Sequence, residues 1–449
     1  MTQARLSDLT EALLTAARRA GAEAADAMAI DGRAVSIDVR AGKLEQAERS
    51  EGVEIGLRVL LGKRQACVSA SNASAQTIAE MAERAVAMAK EAPEDPYIGL
   101  ADPSQIARNW DIAALELEDT SAEPAASALE QDAREAEAAA LGVEGVTQVQ
   151  SASASYSRRQ VHIAATNGFT AGYGRSSRSV SAVAISGEGL TMERDWAAES
   201  RIFQADLPDA TLVGRQAGER AVERAAPRRP KTGAYPVLFD ERIAGSLISH
   251  LLGAINGSAI TRGASWLRDA MGAQVLPEGL SLIEDPHRAR VSGSRPFDAE
   301  GLPTARRAIV ENGVLTSWTL DLATARKLGL ESTANAGRGT SSPPSPGAGN
   351  IALTQGSQTR ADLARDMGTG LLVTSFIGAT INPTTGDYSR GASGFWVENG
   401  EIRYPVNECT IAGNLREMLM RIIPANDARA HLSHVVPSLL IEGLTLAGE

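Results

Sequence analysis

Five histidines and two cysteines in 449 residues leave little from which to build a metal centre or a disulfide framework. Cys67 and Cys409 stand far apart, with no Cys-x-x-Cys spacing. No His-Glu-x-x-His helix occurs, and the one histidine cluster is His431 with His434. Their spacing would suit one helical face, but two neutral ligands do not close a tetrahedral zinc site. The chain also lacks a Gly-x-Ser-x-Gly elbow, a phosphate-binding Gly-x4-Gly-Lys loop and a Gly-x-Gly-x-x-Gly helix start. Neither cysteine has the electropositive surroundings that activate a thiol, and Cys409, in a strand-like stretch, reads as a small core residue. A self-evident catalytic set is therefore missing.

Other scarcities narrow the class. No stretch approaches the ~18 apolar residues of a membrane-spanning helix, and Met1–Asp8 lacks the apolar core of a secretion signal. The expected location is the cytoplasm, with no membrane partner. Lys and Arg number 44 against 55 Asp and Glu, a net charge of −11, which opposes direct binding to a nucleic-acid backbone. Aromatic residues are only 4%, so the cores must be built from Ala, Val, Leu and Ile.

What is present alternates between periods of 3.6 and 2. Leu6–Ala20 has helical spacing, with Ser7 as the expected N-cap and Gly21 as the stop. Strands are expected over 25–30, 34–40, 44–49, 53–61 and 65–71, with turns at Asp31-Gly32, Ala41-Gly42-Lys43 and Gly62-Lys63. Helices follow from Ser74 to Lys90 and from Ala122 to Leu141. Between 145 and 203 the period of two returns, with Thr147, Val149, Ser151, Ser153 and Ser155 on one face and Asn167-Gly168 at a hairpin. His162 reads as a packed strand residue. After a helix over 212–224, Pro227–Gly233 reads as a linker. The fold class is α+β in two domains: residues 1–230 form a helix and antiparallel-sheet domain. Residues 231–449 form a strand-rich domain with barrel-like or curled antiparallel sheets.

The second domain carries the informative stretches. A strand over 234–239 feeds a helix over 240–255, where Ile243, Leu247, His250 and Ala254 share a narrow face. His250, the one catalytic candidate, reads first as a core or interface histidine. A polar loop over 292–301 holds Asp298 and Glu300, candidate acids or binding groups. It leads to Val310-Glu311-Asn312-Gly313, an echo of the hairpin at Val397-Glu398-Asn399-Gly400. Residues 335–350 read as a flexible loop or linker. The loop at 382–396 crowds Asn382, Asp387, Tyr388, Ser389 and Arg390 ahead of the strand Phe395-Trp396-Val397. Those five are the candidate binding residues, either for recognition or as parts of an elaborate hairpin connection. Asp387 and Arg390 are expected to pair.

Four motifs carry a resemblance: Ser294-Arg295-Pro296-Phe297-Asp298-x-Glu300-Gly301, Ala325-Arg326-Lys327-Leu328-Gly329, and, most specific, Asn382-Pro383-x-Thr385-Gly386-Asp387-Tyr388-Ser389-Arg390-Gly391-Ala392-Ser393-Gly394-Phe395-Trp396 and Pro405-Val406-x3-Thr410-Ile411-Ala412-Gly413-Asn414-Leu415. In these the chain resembles the TldD/PmbA family, and specifically its PmbA (TldE) branch. The resemblance implies a cytoplasmic peptidase built from two homologous subunits and acting on unfolded peptides or small proteins. In the TldD-type subunit, a helix matching 240–255 carries His-Glu-x-x-x-His, completed by a cysteine near the C-terminus. Here those helix positions are Ser249, His250 and Ala254, and no cysteine stands near 431–437. The implied chain therefore has no metal or cofactor of its own, with zinc expected in the TldD-type partner. It is expected to shape the cavity and hold peptide along an exposed strand edge, the strand after the 382–396 loop being the candidate. Self-pairing when alone is expected from the homology of the two subunits. The alternative from another class is a non-catalytic regulatory protein of the DNA gyrase modulator type.

Overall fold

The computed structural model describes residues 2–449 and is α+β throughout. Its first half is one six-stranded antiparallel sheet made of unusually long hairpins. Strands β1 (Ala24–Arg40), β2 (Lys43–Leu61) and β3 (Arg64–Ala70) lie beside β4 (Val146–Ala165), β5 (Thr170–Ser186) and β6 (Glu193–Arg201), in the order β3-β2-β1-β4-β5-β6. The turn expected at Asp31-Gly32 does not form, and the strands expected over 44–49 and 53–61 are one continuous strand. Gly32 and Gly52 pair with each other in mid-strand. Neither adopts positive φ, whereas Ala41, Gly42 and Gly62 at the real turns do. Glycine permits a tight turn but does not compel one.

Helices α1 (Gln3–Ala20), α2 (Ala75–Glu91), α3 (Ala126–Leu141) and α4 (Ala210–Glu223) cover one face of that sheet. Thr2, not Ser7, caps α1, because its hydroxyl accepts the Arg5 N–H one turn earlier than expected. Gly21 closes the helix in the left-handed region, and Ser74 caps α2. The scarcity of aromatics is resolved by close approach. Ala133, Ala136, Ala140, Ala217 and Ala221 are buried between α3, α4 and the sheet. A Cβ at Gly214 would stand 1.9 Å from the Ala136 carbonyl oxygen. The serine-rich run of β4 splits its faces differently from the simple alternation. A bulge between Val149 and Ser151 turns Val149 to the buried side with Ala152 and Ala154.

The second half holds a closed barrel. Strand β7 (Gly233–Phe239) runs parallel to strand Gly370–Ile381 and antiparallel to strand Leu439–Ala447. Strands Asp387–Glu398 and Glu401–Asn414 continue from 370–381, and residues 410–412 close the circle on 445–447. Helix α5 (Glu241–Ala254), capped by Asp240, packs Leu247, Ile248 and Leu251 into the same core as Phe239, Leu371, Tyr388 and Trp396. Both Asn-Gly echoes are hairpin turns with positive φ at Asn312, Gly313, Asn399 and Gly400.

Residues 335–350 are not a loose linker. Asn335 and Asn350 are buried, a short ladder joins 336–337 to 345–346, and Arg338 enters the first half, where its guanidinium meets Asp26. Asp26 also receives Arg58, from Nε at 2.6 Å and Nη2 at 2.5 Å. Phe297 completes the seam, its ring 5.1–5.5 Å from Phe169, Trp110 and Tyr173. No described helix is long and apolar enough to cross a membrane.

Candidate functional site

The loop before strand Asp387–Glu398 is built by its own side chains. Asn382 Oδ1 accepts the N–H groups of Thr384 and Thr385, the Gly386 N–H donates to the Asn382 carbonyl, and the Asn382 N–H donates to the Asp387 carbonyl across the turn. Thr385 Oγ1 donates to Asp387 at 2.6 Å, and Asn414 Nδ2 donates to its other oxygen at 3.1 Å. These bonds hold the Asp387 carboxyl below its usual range. The loop is anchored further by the Trp266 N–H on the Pro383 carbonyl and the Leu415 N–H on the Gly386 carbonyl.

Asp387 and Arg390 do not pair. Three residues apart in a strand, they point to opposite faces. Arg390 instead donates to the Gly378 carbonyl and lies over the Phe376 ring. Tyr388, on the same face as Arg390, is buried, and burial pushes its hydroxyl well above the ordinary range. Its ring meets His250 edge-on at 5.9 Å. Ser389 is half-buried between Thr380 and Ala412. Of the five candidates, Asn382 and Asp387 stay at the surface as loop staples, while Tyr388 and Arg390 gather around His250.

The strand after this loop cannot hold a peptide along its edge. It is paired with 370–381 on one side and 401–414 on the other, so its ladder groups are already used. Closing the barrel removes the edge that the sequence suggested.

His250 is half-buried on α5, and its Nε2 is buried with no hydrogen-bond partner among the described residues. Burial, then the nearby Arg390 charge, lowers its pKa, so the ring is neutral at pH 7. Asp298 and Glu300 lie elsewhere, at the seam between the halves. Asp298 is 1% exposed and accepts the N–H groups of Glu300, Leu302 and Ala336. Glu300 accepts the Leu322 N–H. Burial pushes both carboxyls up, and the proton rests on Glu300, since Asp298 has three donors favouring its charge. Both act here as loop organisers near Arg58. Asp26, Arg58 and Arg338, which bind the halves together at this seam, were not among the sequence candidates.

A catalytic zinc needs three convergent ligands and an open position. Ser249 is exposed and donates back to the Gly245 carbonyl, and Ala254 has no donor. Cys409 is buried, with Sγ on the Ala392 carbonyl and its thiol pushed up to about 11 by burial. His431 lies 3.5 Å from Glu199, while His434 sits in a short strand beside Ile351, so the two do not share a helix face. Among the described residues no three His, Cys, Asp or Glu side chains form a ligand group. Ser249, His250 and Ala254, the positions that the resemblance aligns with a metal site, do not make a set of ligands that fits the ion.

Family models match three segments: PmbA/TldA metallopeptidase domain 1 over residues 25–89, the central domain over 115–225 and the C-terminal domain over 232–448. Metalloprotease PmbA of Escherichia coli O157:H7 is 35% identical over 416 residues, covering 92% of this chain and 90% of that protein. The chain belongs to the PmbA/TldD family, in its PmbA (TldE) branch. A PmbA homologue from Haemophilus influenzae is 36% identical over the same shares, whereas a TldD homologue from Buchnera aphidicola is 27% identical over 44% of this chain and 41% of its own length. Among solved structures, a candidate modulator of DNA gyrase from Bacteroides thetaiotaomicron superposes with a TM-score of 0.91 at 25% identity, covering 98% of each chain. TldE from Thermococcus kodakarensis shares the fold with a TM-score of 0.85 at 20% identity, over 98% of this chain and all of that one. Within this family, the first two matched segments form a single sheet and the third contains the barrel.

Proposed function

We propose that this chain is the metal-free PmbA (TldE)-type subunit of a cytoplasmic, heteromeric peptidase whose zinc is carried by a homologous TldD-type partner. The substrates are unfolded peptides or small proteins. One observation carries the reading: α5 presents Ser249, His250 and Ala254 where the catalytic branch has its ligands, and the half-buried, neutral His250 has no metal-bound water to activate. The barrel and the stapled 382–387 loop then serve to shape the shared cavity. The test is reconstitution. Purified chain is expected to hold no stoichiometric zinc and to cleave no unfolded peptide. Addition of a TldD-type subunit should give cleavage that needs both chains. Stoichiometric zinc in this chain alone, or full cleavage by the partner alone, overturns the reading.

A second reading, a non-catalytic modulator of gyrase, draws on the candidate gyrase modulator with which the chain superposes. It predicts an effect on gyrase activity without the partner, and no effect on peptide cleavage. The net charge of −11 directs that reading toward protein contact rather than DNA contact.

A further inference from the structure

Across one rung of the first sheet stand Gly52, Gly32, Arg159 and Arg175, each directly opposite the next on β2, β1, β4 and β5. Residues opposed in this way share a face, here the one that α1–α4 leave uncovered. Beside the seam on that face, a cavity of about 540 Å³ is lined by Gly32, Ala34, Gly52, Ser157, Arg159 and Arg175.

Both parts of this rung are unfavourable for the sheet itself. Gly32 and Gly52 weaken the strands that hold them. Neither has positive φ, and a Cβ at either would meet nothing within 4 Å, so neither turn geometry nor crowding calls for glycine. Arg159 and Arg175 set like charges face to face, which opposes pairing. Arg159 is exposed and makes no hydrogen bond or ion pair among the described residues. Arg175 donates only to the carbonyls of Ser292 and Ser294.

Elsewhere in the same sheet each feature has a partner. Farther along β2 on this face, Gly56 admits the Thr340 carbonyl, whose oxygen stands 2.2 Å from where a Cβ would be. On the opposite face Arg33 and Arg158 are also directly opposed, and carboxylates neutralise them. Glu118 lies 2.5 Å from Arg158, and Glu123 lies 3.6 Å from Arg33. Bare glycine in this sheet thus receives a backbone, and opposed arginines receive carboxylates. The two glutamates that line the cavity are already engaged. Glu51 pairs with Arg33 and Arg49, and Glu54 accepts the Thr340 hydroxyl.

We infer that this rung binds an extended acidic peptide, its main chain crossing the glycine floor and a carboxylate bridging Arg159 and Arg175. The choice of a peptide rests on the peptidase reading, to which the site adds a preference for negative charge. No residue of α5 or of the barrel takes part.

The test is calorimetric titration of the full chain alone, without partner or metal. An amidated octapeptide carrying two glutamates should bind, and added salt should weaken it. The same peptide with glutamine at both positions should not bind when amidated. With a free C-terminus, that neutral peptide shows whether a terminal carboxylate serves as well as a side-chain one. Arg159→Gln should weaken the acidic peptide about tenfold. It should also raise the urea midpoint, because one of two opposed charges is gone. Gly32→Val should raise the midpoint too, as a strand former in open space, while weakening binding by covering the floor. Equal binding of the charged and the amidated neutral peptides overturns the inference, as does no binding at millimolar concentration. So does an Arg159→Gln chain that binds normally or unfolds at lower urea. Binding that persists where reconstituted cleavage fails counts for the site and against the peptidase reading.

Discussion

Asp26 is the carboxylate on which the two halves of the chain meet, and its replacement should be the costliest single change at the seam. It is 4% exposed and stands between Arg58, 3% exposed, from its own sheet and Arg338 from the 335–350 loop, whose side chain is fully buried. Asp26→Asn keeps the shape but leaves two buried guanidiniums facing a neutral amide. Removing one partner of a buried ion pair costs about 3–5 kcal/mol. Arg338→Met removes the other side, and there the arithmetic differs. Asp26 keeps Arg58 at 2.5–2.6 Å, and methionine preserves much of the buried volume. That change should cost about 1.5–3 kcal/mol, the worth of one hydrogen bond to a charged group. The double variant should then be less unstable than the sum by about 1–3 kcal/mol, because one surplus cation has gone with its partner. Urea unfolding followed by circular dichroism reads all three as shifts of the first transition. If Arg338→Met costs as much as Asp26→Asn, or if the two costs simply add, the view of Asp26 as the shared anion fails.

Other outcomes follow from the same coordinates. Phe297→Ala should lose about 3–5 kcal/mol as a buried aromatic, and should separate the unfolding of the two halves, visible by calorimetry as a split transition. Glu300 has its pKa pushed up to about 8 by burial, so the folded state holds the proton between the ordinary carboxylate range and that value. Stability is then greatest below the unfolded pKa and falls as pH rises toward 8, by up to about 5 kcal/mol. Glu300→Gln should flatten that slope in urea midpoints measured from pH 5 to 8.5. His250→Leu should leave stability unchanged or raise it by up to ~1 kcal/mol, because it removes a buried nitrogen without a partner. It should leave cleavage by the assembled peptidase intact, and a loss of turnover at unchanged stability would give His250 a chemical role.

How much of this could be read from the chain depends on the range of the interaction. Local chemistry was legible: Ser74 caps its helix, Gly21 ends one, and the Asn-Gly pairs at 312 and 399 turn their hairpins. Cys409 is the small core residue its strand suggested. Glycine misled where it was used for pairing rather than turning, as at Gly32 and Gly52. The linker-like 335–350 owes its order to Arg338, and nothing within the loop tells that its ion partner lies 312 residues away. A signal did exist in the strands. Asp26 among Ala24, Ala25 and Ala27, and Arg58 between Leu57 and Val59, are single charges in otherwise apolar runs. Buried charges occur almost only when paired. The failed Asp387–Arg390 pair was decidable too, since strand parity sends the two side chains apart once 387–390 is a strand.

Barrel closure explains why the 382–396 motif can be so specific in a chain without ligands at the metal position. Each part of it meets a geometric demand. Asn382 and Thr385 make the turn, and Gly386 fits under Trp266, 3.3 Å from where its Cβ would stand. Gly394 allows the Leu372 carbonyl to approach within 1.9 Å of the place a Cβ would take. Tyr388 fills the core beside α5. These constraints apply to any chain that closes this barrel, with or without a metal on α5, so the motif reports the framework rather than the chemistry. Under the proposed reading, the functional difference between the two subunit types lies on the helix, at positions 249, 250 and 254, where the barrel asks only that Ala254 be small and buried and leaves Ser249 facing solvent. A subunit can lose the ligands there without disturbing the barrel that supports them.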